Sequence, residues 1–322
     1  MTTIAFAKYH GLGNDFIIVD ALDDGTLAGT DWPGLAPRWC DRRLGIGADG
    51  ILVLVPGASD TDLEMRVFNA DGTRAQMCGN GVRCVALYMA DRRGHRGKGL
   101  RISTLAGRID VTWATGLGGK RAVRVDMGPP GLESADLPVR TNRDRVVDVP
   151  LGELAGESTD GSGSDAKKIQ VALEAFDAAS EGGTARVTCV SMGNPHAVVF
   201  VRDAGATPME SIGPVVEHLG AFPDRMNVHA AQAVGRGMVI ARTWERGAGL
   251  TRACGTGACA VVVAGILTGR LDRRVIVRLP GGDLDVEWPG DSAAGGSGGV
   301  IVIGPAEEVY LGRASLDAGG RA

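Results

Sequence analysis

The sequence has no excess of positive charge: 34 Lys and Arg stand against 38 Asp and Glu, a formal net charge of −4. No global field therefore attracts a polyanion, and nucleic acid is not expected as a partner. Long apolar runs are also missing. The longest, Ala258 to Leu267, covers ten residues, well short of the roughly 18–20 that span a bilayer. The N-terminus, Met1-Thr-Thr-Ile-Ala-Phe-Ala-Lys8, lacks a basic stretch followed by an apolar segment and a small-residue cleavage site. A soluble, cytoplasmic protein without membrane contact is expected. Lysine is scarce: Lys8, Lys98, Lys120, Lys167 and Lys168 are all there are, and none lies in a setting that suggests a Schiff base. There is no P-loop and no metal-ligand cluster, so no cofactor and no metal are expected. Six cysteines in a chain of this length and expected compartment read as thiols rather than a disulfide framework.

What is abundant is glycine, 50 of 322 residues, against a usual share of about 7%. There is no G-X-Y period and 44% of the chain is hydrophobic, so collagen-like and disordered readings fail. At roughly 150 residues per domain the length suggests two domains. Strand-like runs recur at short spacing: Ile4–Tyr9, Phe16–Ala21, Ile51–Val55, Leu63–Phe68, Leu100–Trp113 and Ala122–Met127, then Ala185–Ser191, Ala197–Val201, Met238–Trp244, Val275–Leu279, Leu284–Trp288 and Val300–Ile303. Pro280-Gly281-Gly282-Asp283 reads as a hairpin turn and Pro129-Pro130 as a crossover between domains. The clearest helices follow Gly81 and Gly257, and both are apolar nearly all the way round, which requires burial on every side. Two segments, 156–183 and 291–299, read as unstructured, the first as a flexible insertion.

The most informative feature is a faint internal repeat. Gly13-Asn14 precedes Cys78-Gly79-Asn80-Gly81, and Gly193-Asn194 precedes Cys254-Gly255-Thr256-Gly257, with 64 residues from Asn14 to Cys78 and 60 from Asn194 to Cys254. Each Cys-Gly-polar-Gly opens one of the two apolar helices. An α+β fold of two pseudo-symmetric domains follows, each a mostly antiparallel sheet wrapped around a buried central helix. A helix N-terminus favours a thiolate, and glycines there let backbone N–H groups approach a carboxylate. If the halves pack face to face, Cys78 and Cys254 flank one carbon, and one can remove a proton while the other returns one to the opposite face. Such a pair titrates jointly. A buried Cys is otherwise a small hydrophobe, which is the reading for Cys40, Cys84, Cys189 and Cys259. Neither Cys78/Cys84 nor Cys254/Cys259 has a chelating spacing. Disulfide pairing of Cys78 with Cys254 under oxidation stays open, without a Cys-x-x-Cys motif to support it.

Seven segments in order carry a resemblance: His10-Gly-Leu-Gly-Asn-Asp-Phe16, Phe68-Asn-Ala-Asp-Gly72, Met77-Cys-Gly-Asn-Gly-Val-Arg83, Gly193-Asn-Pro-His196, Met226-Asn227, Trp244-Glu-Arg-Gly-Ala-Gly249 and Ala253-Cys-Gly-Thr-Gly-Ala258. The chain resembles the diaminopimelate epimerases from about Ala7 to Leu267. The resemblance implies an isomerase that interconverts LL- and meso-2,6-diaminopimelate without pyridoxal, in lysine and peptidoglycan precursor biosynthesis. It implies Cys78 and Cys254 as the acid/base pair, by convention donor and acceptor, with roles that exchange with direction. His196 and Glu245 would tune their protonation. Asn14, Asn69, Gly79, Asn80, Asn194, Asn227, Glu245, Arg246, Gly255 and Thr256 would bind substrate, the backbone of the two Cys-Gly boxes facing the carboxylate at the reacting carbon. Tyr310 matches a dimer-interface position, implying a homodimer. The resemblance also implies domains of residues 1–129 with 304–322 and of residues 130–303. Gly50 departs from the pattern, because some members carry a substrate-binding Gln there. Two other readings compete. A proline-racemase-like enzyme would use two thiols as well, but Asn80 stands where racemases place His. A non-catalytic thiol-containing binding or redox-sensing protein of the same fold is the third.

Overall fold

A computed structural model describes residues 3–156, 163–289 and 298–315. They form two compact units, one of residues 3–126 with 303–315, the other of residues 127–302 as far as these are described.

In the N-terminal unit the neighbouring strands are, in order, Glu307–Ser315, Thr3–Gly11, Asn14–Asp20, Gly50–Val55, Leu63–Asn69, Gly99–Thr104, Gly107–Thr115 and Arg121–Asp126. From Thr3–Gly11 to Gly107–Thr115 the pairings alternate antiparallel, parallel, antiparallel, parallel, antiparallel. The C-terminal unit repeats that alternation through Arg186–Ser191, Pro195–Phe200, Asn227–Gly235, Met238–Glu245, Arg274–Leu279 and Gly282–Glu287. A parallel pair needs a crossover of a dozen residues or more, and each unit fills its two crossovers with helices. Trp32–Trp39 and Gly79–Arg92 occupy them in the first unit, Met209–Glu217 and Gly255–Leu267 in the second. The faint repeat in sequence is thus a full repeat of topology.

In each unit the second crossover helix is the buried one. All but a few residues of Gly79–Arg92 are buried, and so are those of Gly255–Leu267 from Gly257 to Gly265. The other face of each sheet has its own core. Trp32, Leu35 and Trp39 pack there with Ile17, Val19, Ile51 and Val53, and Met209, Ile212 and Val216 pack with Val187, Ala197 and Val199. Strands covered on both faces lose the in–out alternation, so Gly50–Val55 and Pro195–Phe200 are buried at every residue. Among the described residues no helix is long and apolar enough to cross a membrane.

Two expectations need correction. Leu100–Trp113 is not one run but a hairpin, with Thr104 paired to Gly107 across Leu105-Ala106. Gly107 has φ 113°, which a side chain rarely adopts. The segment 156–183 is not an unstructured insertion: Gly163–Ala179 is a helix. Ile169, Leu173 and Phe176 recur at helical spacing and pack into the C-terminal core, with Phe176 at 0% exposure. Residues 157–162, and 291–297 of the second segment, lie outside the described residues. Replacing Phe176 by Ala should lower stability by about 3–5 kcal/mol, visible as a lower urea midpoint. An unchanged midpoint would mean that the helix adds nothing to the core.

Candidate active site

Each half builds the same cap. Cys78, with φ −145° and ψ 109°, precedes the helix Gly79–Arg92, and its Sγ accepts from the Gly81 N–H at 3.4 Å. Cys254, with φ −128° and ψ 109°, precedes Gly255–Leu267, and its Sγ accepts from the Gly257 N–H, also at 3.4 Å. The extended backbone and the bond to the third residue on are those of an N-cap, here made by sulfur rather than oxygen. Gly79 and Asn80, and Gly255 and Thr256, follow the caps, so their N–H groups stand ahead of the intrahelical ladder. The third position is tight in the first cap and closed to a side chain in the second. A Cβ on Gly81 would lie 3.1 Å from Leu52 Cδ2, and one on Gly257 would lie 2.5 Å from His229 Cε1.

The Gly-Asn pairs are also matched. Gly13 and Gly193 both have φ 83°, each turning the chain between two antiparallel strands and presenting the next residue, Asn14 or Asn194. Asn14 Oδ1 lies 4.0 Å from Cys78 Sγ and accepts from Asn80 Nδ2 at 3.0 Å. Asn80 Oδ1 in turn accepts from Arg83 Nη2 at 2.7 Å, and Arg83, 1% exposed, also donates to the carbonyls of Gly79 and Pro305. Asn14 Nδ2 donates to Asp49 at 2.7 Å. Asp49 and Asp15 are both gripped by Arg42, and Lys8 pairs with Asp15 from the buried side. Burial pushes the Asp15 carboxyl up, but Arg42 and Lys8 outweigh it and hold the group below the ordinary carboxylate range. Asn69 is exposed at the end of its strand, opposite Gly50 in register, and donates to Thr73 Oγ1 at 2.9 Å. Gly50 is buried with no room for a side chain, since a Cβ would sit 2.7 Å from the Phe68 carbonyl oxygen.

In the C-terminal half Cys254 is 4% exposed, with Thr256 Oγ1 at 3.5 Å from its sulfur. Burial pushes its thiol well above the ordinary value, and the Glu245 carboxylate adds to the shift. Thr256 and the Gly257 N–H oppose it without prevailing. The thiolate expected from the helix N-terminus is therefore not the favoured form of Cys254; the direction of the cap is right, and burial beside a carboxylate outweighs it.

Both ring nitrogens of His196 have partners. Its Nε2 meets Asn194 Oδ1 at 3.0 Å and its Nδ1 meets His229 Nε2 at 2.9 Å, while His229 Nδ1 meets Thr243 Oγ1 at 3.0 Å. Burial holds both imidazoles below the ordinary value, His229 at about 3. Asn227 is committed at both ends, donating to the Pro195 carbonyl and accepting from the Arg246 N–H. Arg246 is exposed and donates to the Asp224 carbonyl. The turn that carries it is held by Glu217, which is buried and accepts from Trp244 Nε1 at 2.7 Å and from the Gly247 N–H at 3.2 Å. Tyr310 is the fourth residue of the Glu307–Ser315 strand, edge-on to Phe6.

The structure brings Asn14 together with Cys78 and Asn80 in the N-terminal unit, whereas Asn69 bonds to Thr73 instead; in the C-terminal unit it joins Asn194 to His196, Asn227 to Arg246, and Cys254 to Thr256 and Glu245. Sequence reasoning passed over Arg83, Asp49, Glu217, Thr243 and His229. Two of these had a signal: Arg83 closes the Met77–Arg83 segment, and His229 lies two residues after Asn227, hence on the same strand face.

Known proteins share both the sequence family and the fold. The sequence model for diaminopimelate epimerase matches residues 6–133 and 188–309, leaving out the stretch that holds the Gly163–Ala179 helix. The diaminopimelate epimerase of Desulforudis audaxviator is 48% identical over 310 residues, 96% of this chain and 98% of its own. That of Pelotomaculum thermopropionicum is 44% identical over 307 residues, 95% of this chain and 97% of its own. Among solved structures, a phenazine biosynthesis protein of the PhzF family from Bacillus anthracis shares the fold at 16% identity, with a TM-score of 0.64 over 98% of this chain and all of its own. A hydroxyproline epimerase from Agrobacterium vitis does so at 16% identity and TM-score 0.60, over 99% of this chain and 92% of its own. With that sequence model matching most of its length and relatives 44% and 48% identical over nearly all of it, the chain belongs to the diaminopimelate epimerase family.

Proposed function

We propose that this epimerase converts LL-2,6-diaminopimelate to the meso form by moving one proton out of Cα and one into it through two thiols, Cys78 and Cys254. The observation that carries this reading is the duplicated cap, in which each sulfur is held at 3.4 Å from the N–H of the third residue on. Cys254, held as a thiol by burial and Glu245, is the group ready to give a proton. Cys78, at the matching cap, is the group to take one, so in this direction the two roles run opposite to the donor-and-acceptor order that the resemblance implied. As the Cα–H bond breaks towards Cys78, negative charge spreads into the substrate's α-carboxylate, where the first-turn N–H groups of the two helices can stabilise it. The Cys254 S–H proton then adds to the opposite face and the stereocentre inverts. Cys78 is left as the thiol and Cys254 as the thiolate, the starting state for the reverse reaction. Arg246, Asn14, Asn69, Asn194 and Asn227 hold the charged ends of the substrate, Arg246 because its planar fork suits a carboxylate.

A homodimer and a cytoplasmic location complete the reading. Val309, Tyr310 and Leu311 are 53%, 42% and 53% exposed on the C-terminal strand, an apolar stretch that a second copy would cover. The mechanism is tested by incubating the protein with LL-diaminopimelate in D₂O without added cofactor. Deuterium should enter the newly formed meso product at the inverted carbon, while unreacted LL substrate stays largely protonated early on. No turnover would overturn the function. Retention of the substrate's own hydrogen at the inverted carbon would instead point to a single group working on both faces.

A further inference from the structure

The two Gly-Asn amides have their carbonyl ends tied down by buried chains of different chemistry. In the N-terminal half the anchor is Arg83, and a guanidinium can only donate. Asn80 Oδ1 must therefore accept from Arg83, Asn80 Nδ2 must donate to Asn14 Oδ1, and Asn14 turns its NH₂ group the other way, giving one hydrogen to Asp49 and presenting the second. In the C-terminal half the chain is Thr243, His229, His196, Asn194. Imidazoles can transmit a hydrogen bond in either direction, so the outcome depends on which nitrogen of each ring carries the proton. Both rings are fully buried and burial holds both neutral, so each has one donor and one acceptor nitrogen. If Asn194 Oδ1 accepts from His196 Nε2, then His196 Nδ1 must accept from His229 Nε2, and His229 Nδ1 must accept from the Thr243 hydroxyl. His229 also packs against the first turn of the Gly255–Leu267 helix, where its Cε1 fills the space a Cβ on Gly257 would need. The Gly257 N–H holds the Cys254 sulfur.

We propose that His229 is a positioning residue: by donating to His196 Nδ1 it fixes the Asn194 amide with its NH₂ group outward, as Arg83 does for Asn14. Two outward NH₂ groups select a carboxylate, whereas a reversed chain would turn the Asn194 carbonyl outward and favour an ammonium. The choice of ligand group rests on the epimerase reading; the orientation of the chain does not. Thr243 is the outer end of the same device, sitting directly opposite His229 in the antiparallel pair.

The test is the tautomer of His196, read from long-range proton–nitrogen NMR correlations in ¹⁵N-histidine-labelled, substrate-free protein. Wild type should show His196 protonated at Nε2. His229→Gln, which keeps a donor at the same place, should keep that tautomer and hold kcat/KM within about threefold of wild type. His229→Leu should give mixed tautomers and lower kcat/KM for LL-diaminopimelate about tenfold or more, chiefly through KM. Thr243→Val leaves the ring in place and should also mix the His196 tautomers, so the inference does not depend on whether the Leu variant folds. An unmoved His196 tautomer in the folded variants that lack the donor or the hydroxyl would overturn it, as would a His229→Gln protein as impaired as His229→Leu. Should wild type not turn over the substrate at all, the epimerase reading fails while the tautomer measurement still decides the role of His229.

Discussion

Cys254→Ala and Cys78→Ala should each lower kcat for epimerisation by roughly 10³-fold, within the 10²–10⁴ range of a positioned acid or base. The two variants should nevertheless differ in what they leave behind. A thiol acting alone can still remove a proton from the face it reaches and return a solvent deuteron to the same face, which exchanges without inverting. In D₂O the Cys254→Ala protein should therefore wash deuterium into one epimer only, and Cys78→Ala into the other. Mass spectrometry of each purified epimer after long incubation reads this directly. Normal turnover by either variant would remove the two-thiol assignment, and exchange of both epimers by a single variant would place a second base in its half of the protein. Neither substitution should disturb the fold much. Cys78 is half-buried, and Cys254 loses one sulfur from the helix cap and leaves the Gly257 N–H without it.

The two cysteine caps were more legible in the sequence than the scaffold that orients them. Cys78 and Cys254 announced themselves because helix caps are local: one residue, the next three, and a glycine where the backbone must approach the sulfur. The strands announced themselves where β-branched runs were uninterrupted, as in Gly50–Val55 and Arg274–Leu279. Asn227–Gly235 did not, because Ala230, Ala231 and Ala233 carry little strand preference and the strand is specified by neighbours on both sides instead. The helix Trp32–Trp39 contains Pro33, Gly34 and Pro37, which argue locally for a loop; Pro33 is tolerated in the first turn, and burial of Trp32 and Trp39 decides the rest. The alternation of antiparallel and parallel pairings that makes the two halves alike is a long-range property that no window of sequence contains. His229 was passed over for the same reason: its partners Thr243 and His196 lie 14 and 33 residues away in sequence and are joined only by sheet register.

Lowering the pH from 8 to 5 should destabilise the C-terminal unit by up to ~4 kcal/mol before any carboxylate is involved. His196 and His229 are fully buried and neutral, burial placing His229 at about 3 and His196 well below the ordinary value, with His229 and Arg246 adding to the shift of His196. In the unfolded chain both titrate near 6.5, so below that pH the unfolded state binds up to two protons that the folded state refuses. Stability is therefore complete above about pH 6.5 and falls as pH drops towards the folded values, by ~2 kcal/mol for each ring at pH 5. Carboxylates held low in the fold act in the same direction but in another window. Asp15 and Asp20, where arginine partners outweigh the upward push of burial, lose their contribution only near and below about pH 4. The interval from 6.5 to 5 thus isolates imidazoles. Urea midpoints at pH 8, 6 and 5, with hydrogen exchange of the Asn227–Gly235 amides to report on this unit, should show a slope near two protons. His229→Gln removes one titrating ring and should halve that slope. A midpoint that stays level from pH 8 to 5 in the wild-type protein would mean that His196 or His229 takes up its proton in the folded state, and that a charged imidazole is tolerated beside Cys254.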